Sequence, residues 1–273
     1  MGVLNVRLLG TLDVRCGEQT VIELQPRKAQ ELFTYLLLYR ERPHPREALA
    51  NLMWRESSTG QARKYLRQTL WQLQRALDSV ASDGRGDVLL TDADWIQVNP
   101  RAELWLDVAV LERAWGLARE TPSQELDGQQ IRIVQEALDL YRGDLLEGWY
   151  QNWCLFERER LQQLYLALLE KRMVCCEARG EYEIGLACGI RALRCDVAHE
   201  RTHRRMMRLH YLSGDRTSAL RQYQRCVTFL REELEVEPSA RTVALQERMC
   251  SGRPLTPISA APERGHEVLD NRT

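Results

Sequence analysis

Strand signals are confined to the first hundred residues of this 273-residue chain, and the periodic segments after Pro100 read as helix. That change of period limits the fold more than any other feature. Residues 3–24 are rich in Val, Leu and Ile and are punctuated by Gly10 and Gly17, which predicts two or three short strands, the later pair turning at Cys16-Gly17-Glu18. Pro26 then stands at a first helical position, and Ala29, Leu32, Phe33, Leu36 and Leu37 follow the helical period. Pro43-His44-Pro45 breaks it and opens a short helix with Ala48, Leu49, Leu52 and Met53 inward. A third helix follows over 60–77, then an Asp83–Gly86 loop, then "VLLT" and "WIQV" facing each other across Asp92-Ala93-Asp94 as a hairpin. Strands, three helices and a hairpin are the order of a winged helix-turn-helix carrying an extra N-terminal sheet, in which the third helix enters the DNA major groove.

That third helix, "GQARKYLRQTLWQLQRAL", has a capping-box signature ahead of it, Ser58-x-x-Gln61. Leu66, Leu70, Leu73 and Leu77 share one narrow stripe at 100° per residue. Lys64, Gln68, Trp71 and Arg75 lie on the opposite face, with Arg63 and Arg67 beside them. The stretch holds four cations, four glutamines and no acid. The whole chain has a formal charge of −1, so any nucleic-acid surface is a local patch.

Beyond Pro100, helices are expected over about 106–120, 129–141, 153–179, 182–194, 199–212, 217–233 and 240–249. Gly180-Glu181 and Gly214-Asp215 lie 34 residues apart, and each is followed at matched spacing by a small residue and Leu: Gly185-Leu186 and Ala219-Leu220. A 34-residue period of paired helices is the tetratricopeptide signature. The expected fold class is therefore mainly α. A winged helix-turn-helix spans residues 1–100, an all-α tetratricopeptide-like domain spans 101–250, and a flexible Pro-containing tail covers 251–273.

No apolar run is long enough to cross a bilayer, and no secretion signal opens the chain. Eight scattered cysteines without C-x-x-C suit thiols in a reducing cytoplasm better than a disulfide framework, and the expected location is cytoplasmic. Phosphate-loop, dinucleotide and nucleophile-elbow motifs are missing, so neither a catalytic residue nor a cofactor is expected. His199-Glu200-Arg201-Thr202-His203 spells H-E-x-x-H, but the metzincin continuation fails at Met206 and Leu209, so the reading is structural and no metal is expected. The adjacent Cys175-Cys176 reads as core thiols in preference to a redox switch.

Several stretches resemble the Streptomyces antibiotic regulatory protein family, which joins a winged helix to a bacterial transcriptional activator domain. In the first domain these are "VRLLGTLDVR", "PRKAQELFTYLLL" and "ARKYLRQTLWQLQRAL". In the second they are "YRGDLLEGWYQNWCLFERERLQQLYLALLEKR" and the segment from "AHERTHRRMM" to "ALQERM", with Gly214, Ala219, Leu220, Tyr223, Leu234 and Pro238 at the family's positions. The resemblance implies a transcriptional activator that binds direct repeats of double-stranded DNA near promoters and recruits RNA polymerase. Trp71 and Gln74 depart from the small or basic residues usual there, so the target sequence does not carry over.

The DNA-contact set expected from this reading is Arg63, Lys64, Arg67, Gln68, Trp71 and Arg75 on the third helix, with Arg27, Lys28 and Arg46 as phosphate clamps at helix starts. Arg27, Lys28 and Arg46 have an equally plain reading as solvated charges. Trp71 has two readings: contact with sugar or a thymine methyl, or packing under the wing against Trp95 or Trp54. The second domain is expected to support a homodimer or a side-by-side oligomer on DNA, or to dock polymerase. The alternative function is a protein-interaction scaffold without DNA binding.

Overall fold

The computed structural model describes residues 3–17, 19–20, 24, 26–78 and 87–255. Glu18 of the expected turn, the Asp83–Gly86 loop and the tail from residue 256 lie outside the described residues. The chain packs as two compact units, one of residues 1–112 with 139–161 and the other of 113–138 with the remainder from 162.

In the first unit, β1 (Leu4–Arg7), β2 (Asp13–Cys16), β3 (Gln19–Thr20) and β7 (Leu104–Leu106) form one sheet in the order β3-β2-β1-β7. β1 alternates buried Leu4 and Val6 with half-exposed Asn5 and Arg7, the period of a strand with one face on the core. β2 runs antiparallel to β1, whereas β7 runs parallel to it, with Val6 opposite Leu106. Strand structure thus continues past Pro100, against expectation. Leu-Trp-Leu is too short to show a period of its own, and pairing with β1 fixes its conformation.

The chain after β1 is held by groups far away in sequence. Buried Asp107 accepts hydrogen bonds from the amides of Leu8 (2.9 Å), Leu9 (2.9 Å) and Val108 (2.8 Å). Leu9 bridges to Leu145, and Gly10, at φ +102, donates to Asp144 and accepts from Glu147. Arg158 caps the carbonyls of Leu145, Leu146 and Trp149 at 2.9–3.0 Å.

Three helices follow the N-terminal strands: α1 (Arg27–Leu38), α2 (Arg46–Met53) and α3 (Thr59–Asp78). Pro26 is the N-cap of α1, one residue earlier than expected. Ala29, Leu32, Phe33, Leu36 and Leu37 are all buried, as the periodicity requires. In α2, Leu49 and Met53 are buried but Ala48 is exposed; Ala50 takes the inward position. β4 (His44–Pro45), β5 (Leu89–Thr91) and β6 (Trp95–Val98) form a second sheet, order β4-β6-β5, whose β5–β6 hairpin is the wing. The fold is thus the expected one, a winged helix with a small N-terminal sheet ahead of a helical C-terminal domain.

The remaining helices are α4 (Asp107–Arg119), α5 (Gly128–Leu140), α6 (Asn152–Arg179), α7 (Tyr182–Cys195), α8 (Glu200–Leu212), α9 (Arg216–Leu234) and α10 (Ala240–Cys250). Each expected bound lies within one residue of these. The 34-residue echo has a physical basis. Gly180 and Gly214 adopt φ +72 and +89 just past helix ends, a conformation glycine reaches without a Cβ clash. The acid after each glycine begins the next helix, and Asp215 accepts from the Ser218 amide at 2.8 Å. Gly185 and Ala219 are both buried. A Cβ on Gly185 would lie 2.9 Å from Leu209 Cδ1 and 3.1 Å from Cys176 Cβ, so close helix approach requires a small residue there. Within the second unit, Glu177 of α6 pairs with Arg205 (3.0 Å) and Arg208 (2.9 Å) of α8.

Candidate nucleic-acid interface

α3 is a continuous 20-residue helix in which every residue between Gly60 and Asp78 is compatible with helix and Asp78 is the first acid. Its start follows Ser58, whose carbonyl accepts the Ala62 amide at 2.9 Å. Ala62, Leu66, Thr69, Leu70, Leu73, Ala76 and Leu77 are buried against the unit. Arg63, Lys64, Tyr65, Arg67, Gln68, Trp71 and Arg75 are exposed. The two-faced helix expected from the sequence therefore forms, with its cationic and amide side chains in solvent.

The expected contacts fall into two groups. Lys64, Arg67 and Gln68 are exposed and make no ion pair among the described residues. Arg63 is exposed but pairs with Glu47 of α2 at 2.9 Å. Arg75 holds its guanidinium 5.3 Å from the centre of the Trp71 ring. Trp71 is 58% exposed, so it does not pack under the wing. The Tyr65 ring lies 6.1 Å from Trp54 at the α2–α3 turn, a pairing the sequence pattern did not single out.

The clamp candidates are engaged differently. Arg27 lies over the Trp149 ring at 4.6 Å and 3.9 Å from the Glu31 carboxylate. Lys28 pairs with the same carboxylate at 2.6 Å, and Glu31 is buried. Arg46 is half-buried, and its Nε has no hydrogen-bond partner among the described residues. Its amide donates to Asp94 at 2.9 Å, tying the start of α2 to the turn of the wing.

The H-E-x-x-H residues of the second unit turn to separate partners. The Nε2–H of fully buried His203 donates to the Val197 carbonyl at 2.9 Å, so its Nδ1 accepts from Gln222 at 2.7 Å. His199 bonds Thr202 at 2.7 Å. Glu200 accepts from the Ser239 amide (2.9 Å) and hydroxyl (2.6 Å) and from Thr242. Burial lowers both histidines below their ordinary range, which leaves them neutral, and the hydroxyl and amide donors lower Glu200. No group of three or more His, Cys, Asp or Glu among the described residues is placed to hold a metal ion. No described helix is long and apolar enough to cross a membrane. All eight cysteines are free thiols, five of them buried. Cys176, 2.9 Å from Arg172, is pushed up to about 12 by burial, which leaves little reactive thiolate.

The chain is similar to known bacterial regulatory proteins. Residues 106–249 match the family described as the bacterial transcriptional activator domain. The chain is 28% identical to the regulatory protein AfsR of Streptomyces coelicolor over 95% of its own length, though it spans only 26% of that protein. It is 29% identical to the regulatory protein DnrI of Streptomyces peucetius, covering 92% of this chain and 93% of the relative. A solved structure, Mycobacterium tuberculosis EmbR in complex with a low-affinity phosphopeptide, shares the fold with a TM-score of 0.71 at 21% identity, over 94% of this chain and 67% of that one. From the matched domain, which covers more than half of its residues, the chain belongs to the bacterial transcriptional activator domain family, in keeping with its resemblance to the Streptomyces antibiotic regulatory proteins.

Proposed function

We propose that the protein is a sequence-specific, double-stranded DNA-binding transcriptional regulator, acting as an activator and without catalytic activity. The observation that carries this reading is the outer face of α3. Lys64, Arg67 and Gln68 are solvent-exposed there, on a helix with no acid before Asp78, in a fold that holds such a helix between a helical scaffold and a wing. Lys64 and Arg67 neutralise phosphates and release counterions, while Gln68 has the donor–acceptor pair that matches an adenine edge. The names of the relatives, regulatory proteins all, support the same reading. The helical second unit supplies the protein contacts an activator needs, with RNA polymerase or with a second copy on adjacent sites, in the cytoplasm.

The test is fluorescence anisotropy of the full chain on duplexes selected from a randomised pool, repeated across a salt series. A DNA-binding protein gives log Kd linear in log salt with a slope of several contacts. Retention of wild-type affinity by both Lys64→Ala and Arg67→Ala would remove α3 from the interface.

A further inference from the structure

Trp71 and Arg75 form a unit that the charge pattern alone does not explain. The Trp71 indole is 58% exposed. It stands among Lys64, Arg67 and Gln68 on the cationic face of α3, one helical turn before Arg75. Arg75 makes no ion pair among the described residues, and its guanidinium sits 5.3 Å from the centre of the indole ring.

A guanidinium drawn to an indole by cation–π attraction still has N–H donors that point away from the ring. The indole thus holds the Arg75 fork in place before any ligand arrives, which reduces the rotamer freedom lost on binding. A bidentate fork of this kind matches guanine O6 and N7 in the major groove. The indole itself offers apolar surface, and the one apolar group a base pair displays in that groove is the thymine methyl. Four residues of helix rise roughly 6 Å, close to two base-pair steps of about 3.4 Å, so the two targets lie within about two base pairs of each other.

We infer that Trp71 and Arg75 act as one reading head, with Trp71 against a thymine methyl and Arg75 on a neighbouring guanine. The inference rests on the proposed DNA-binding role of α3. It makes Trp71 a specificity-determining residue as well as the group that positions Arg75.

The experiment uses the full chain and its best selected duplex. Each thymine is replaced in turn by deoxyuridine, which removes only the methyl, and each guanine by 7-deazaguanine, which removes N7. Wild type should lose about fourfold in affinity at one thymine, the worth of one methyl group taken out of contact. It should lose about tenfold or more at a guanine within about two base pairs of that thymine. Trp71→Ala should abolish the thymine effect and weaken the guanine effect. Arg75→Lys, which keeps the charge, should abolish the guanine effect alone. Unchanged thermal melting of both variants, expected for exposed side chains, separates recognition from folding. A duplex that binds with normal salt dependence but has no thymine whose methyl effect depends on Trp71 overturns this inference and leaves the DNA-binding reading standing. Absence of salt-dependent duplex binding by wild type overturns both. If Trp71→Ala leaves every duplex effect unchanged yet abolishes capture of a partner protein, the exposed ring serves protein contact and the inference fails.

Discussion

The Lys28 ammonium lies 2.6 Å from the buried carboxylate of Glu31. That contact separates cations that neutralise the protein from cations that are left for a ligand. Among the described residues, Lys28→Ala would leave Glu31 with the more distant cation of Arg27, at 3.9 Å, and should destabilise the first unit by roughly 1–3 kcal/mol, the cost of weakening a buried charged partner. Lys64→Ala and Arg67→Ala should leave the urea midpoint unchanged. Each should lower affinity for every duplex and reduce the salt slope by about one. Paired denaturation and anisotropy titrations of the three variants check the contrast.

Asp107 is the single acceptor for three amides, those of Leu8, Leu9 and Val108. Asp107→Ala strands all three in the core and should cost about 3 kcal/mol or more. Asp107→Asn keeps one acceptor oxygen and should cost distinctly less. Equal losses for the two variants in equilibrium urea unfolding would mean the hydrogen bonds contribute nothing there.

Stability should fall as pH drops below about 6.5. His44, His199, His203 and His210 are all held below the ordinary histidine value, burial being the main cause at each. A histidine with a lowered folded pKa contributes stability that is complete above the unfolded value near 6.5 and is lost as pH falls towards the folded value. Each additional proton bound by the unfolded chain steepens the loss by about 1.4 kcal/mol per pH unit. Glu200, lowered by its hydroxyl and amide donors, adds a loss of the same sign further into acid. Asp107, raised by burial despite its three donors, opposes both at the acid end, because its contribution is present at low pH and lost on rising through its folded pKa. Urea midpoints between pH 7.5 and 5 test the sign, and His203→Gln should flatten the slope.

Glu235 sits at φ +56 at the C-terminal end of α9, where its amide caps Arg231. Glycine takes that conformation without a Cβ penalty, so Glu235→Gly should stabilise the protein by roughly 0.5–1 kcal/mol. A lower melting temperature would show that the glutamate side chain outweighs the backbone strain.

Both faces of α3 were legible in the sequence because a helix converts spacing directly into position. Leu66, Leu70, Leu73 and Leu77 could share a stripe in no other regular structure. The helix bounds of the second unit were equally plain, since Gly180 and Gly214 mark helix ends by a conformation other residues seldom take. What escaped were features fixed by distant partners. Leu104–Leu106 has no period of its own until β1 lies beside it. Nothing in the spacing marks Glu31 until packing buries it and brings Lys28 over it. The exposure of Trp71 could not be read from a helical position that suits a half-buried indole as well as a solvated one.

The parallel pairing of β1 with β7 also has a consequence for biogenesis. Leu4–Arg7 leaves the ribosome about a hundred residues before the strand that covers its edge, and the Leu8–Gly10 backbone waits longer still for Asp144–Glu147. The segment that carries α3 therefore emerges with an open sheet edge and completes its hydrogen bonding only when the chain has been synthesised past residue 147. Nascent chains stalled before that point should be strong clients for chaperones, and the competence of the N-terminal unit should arise late in translation, not early.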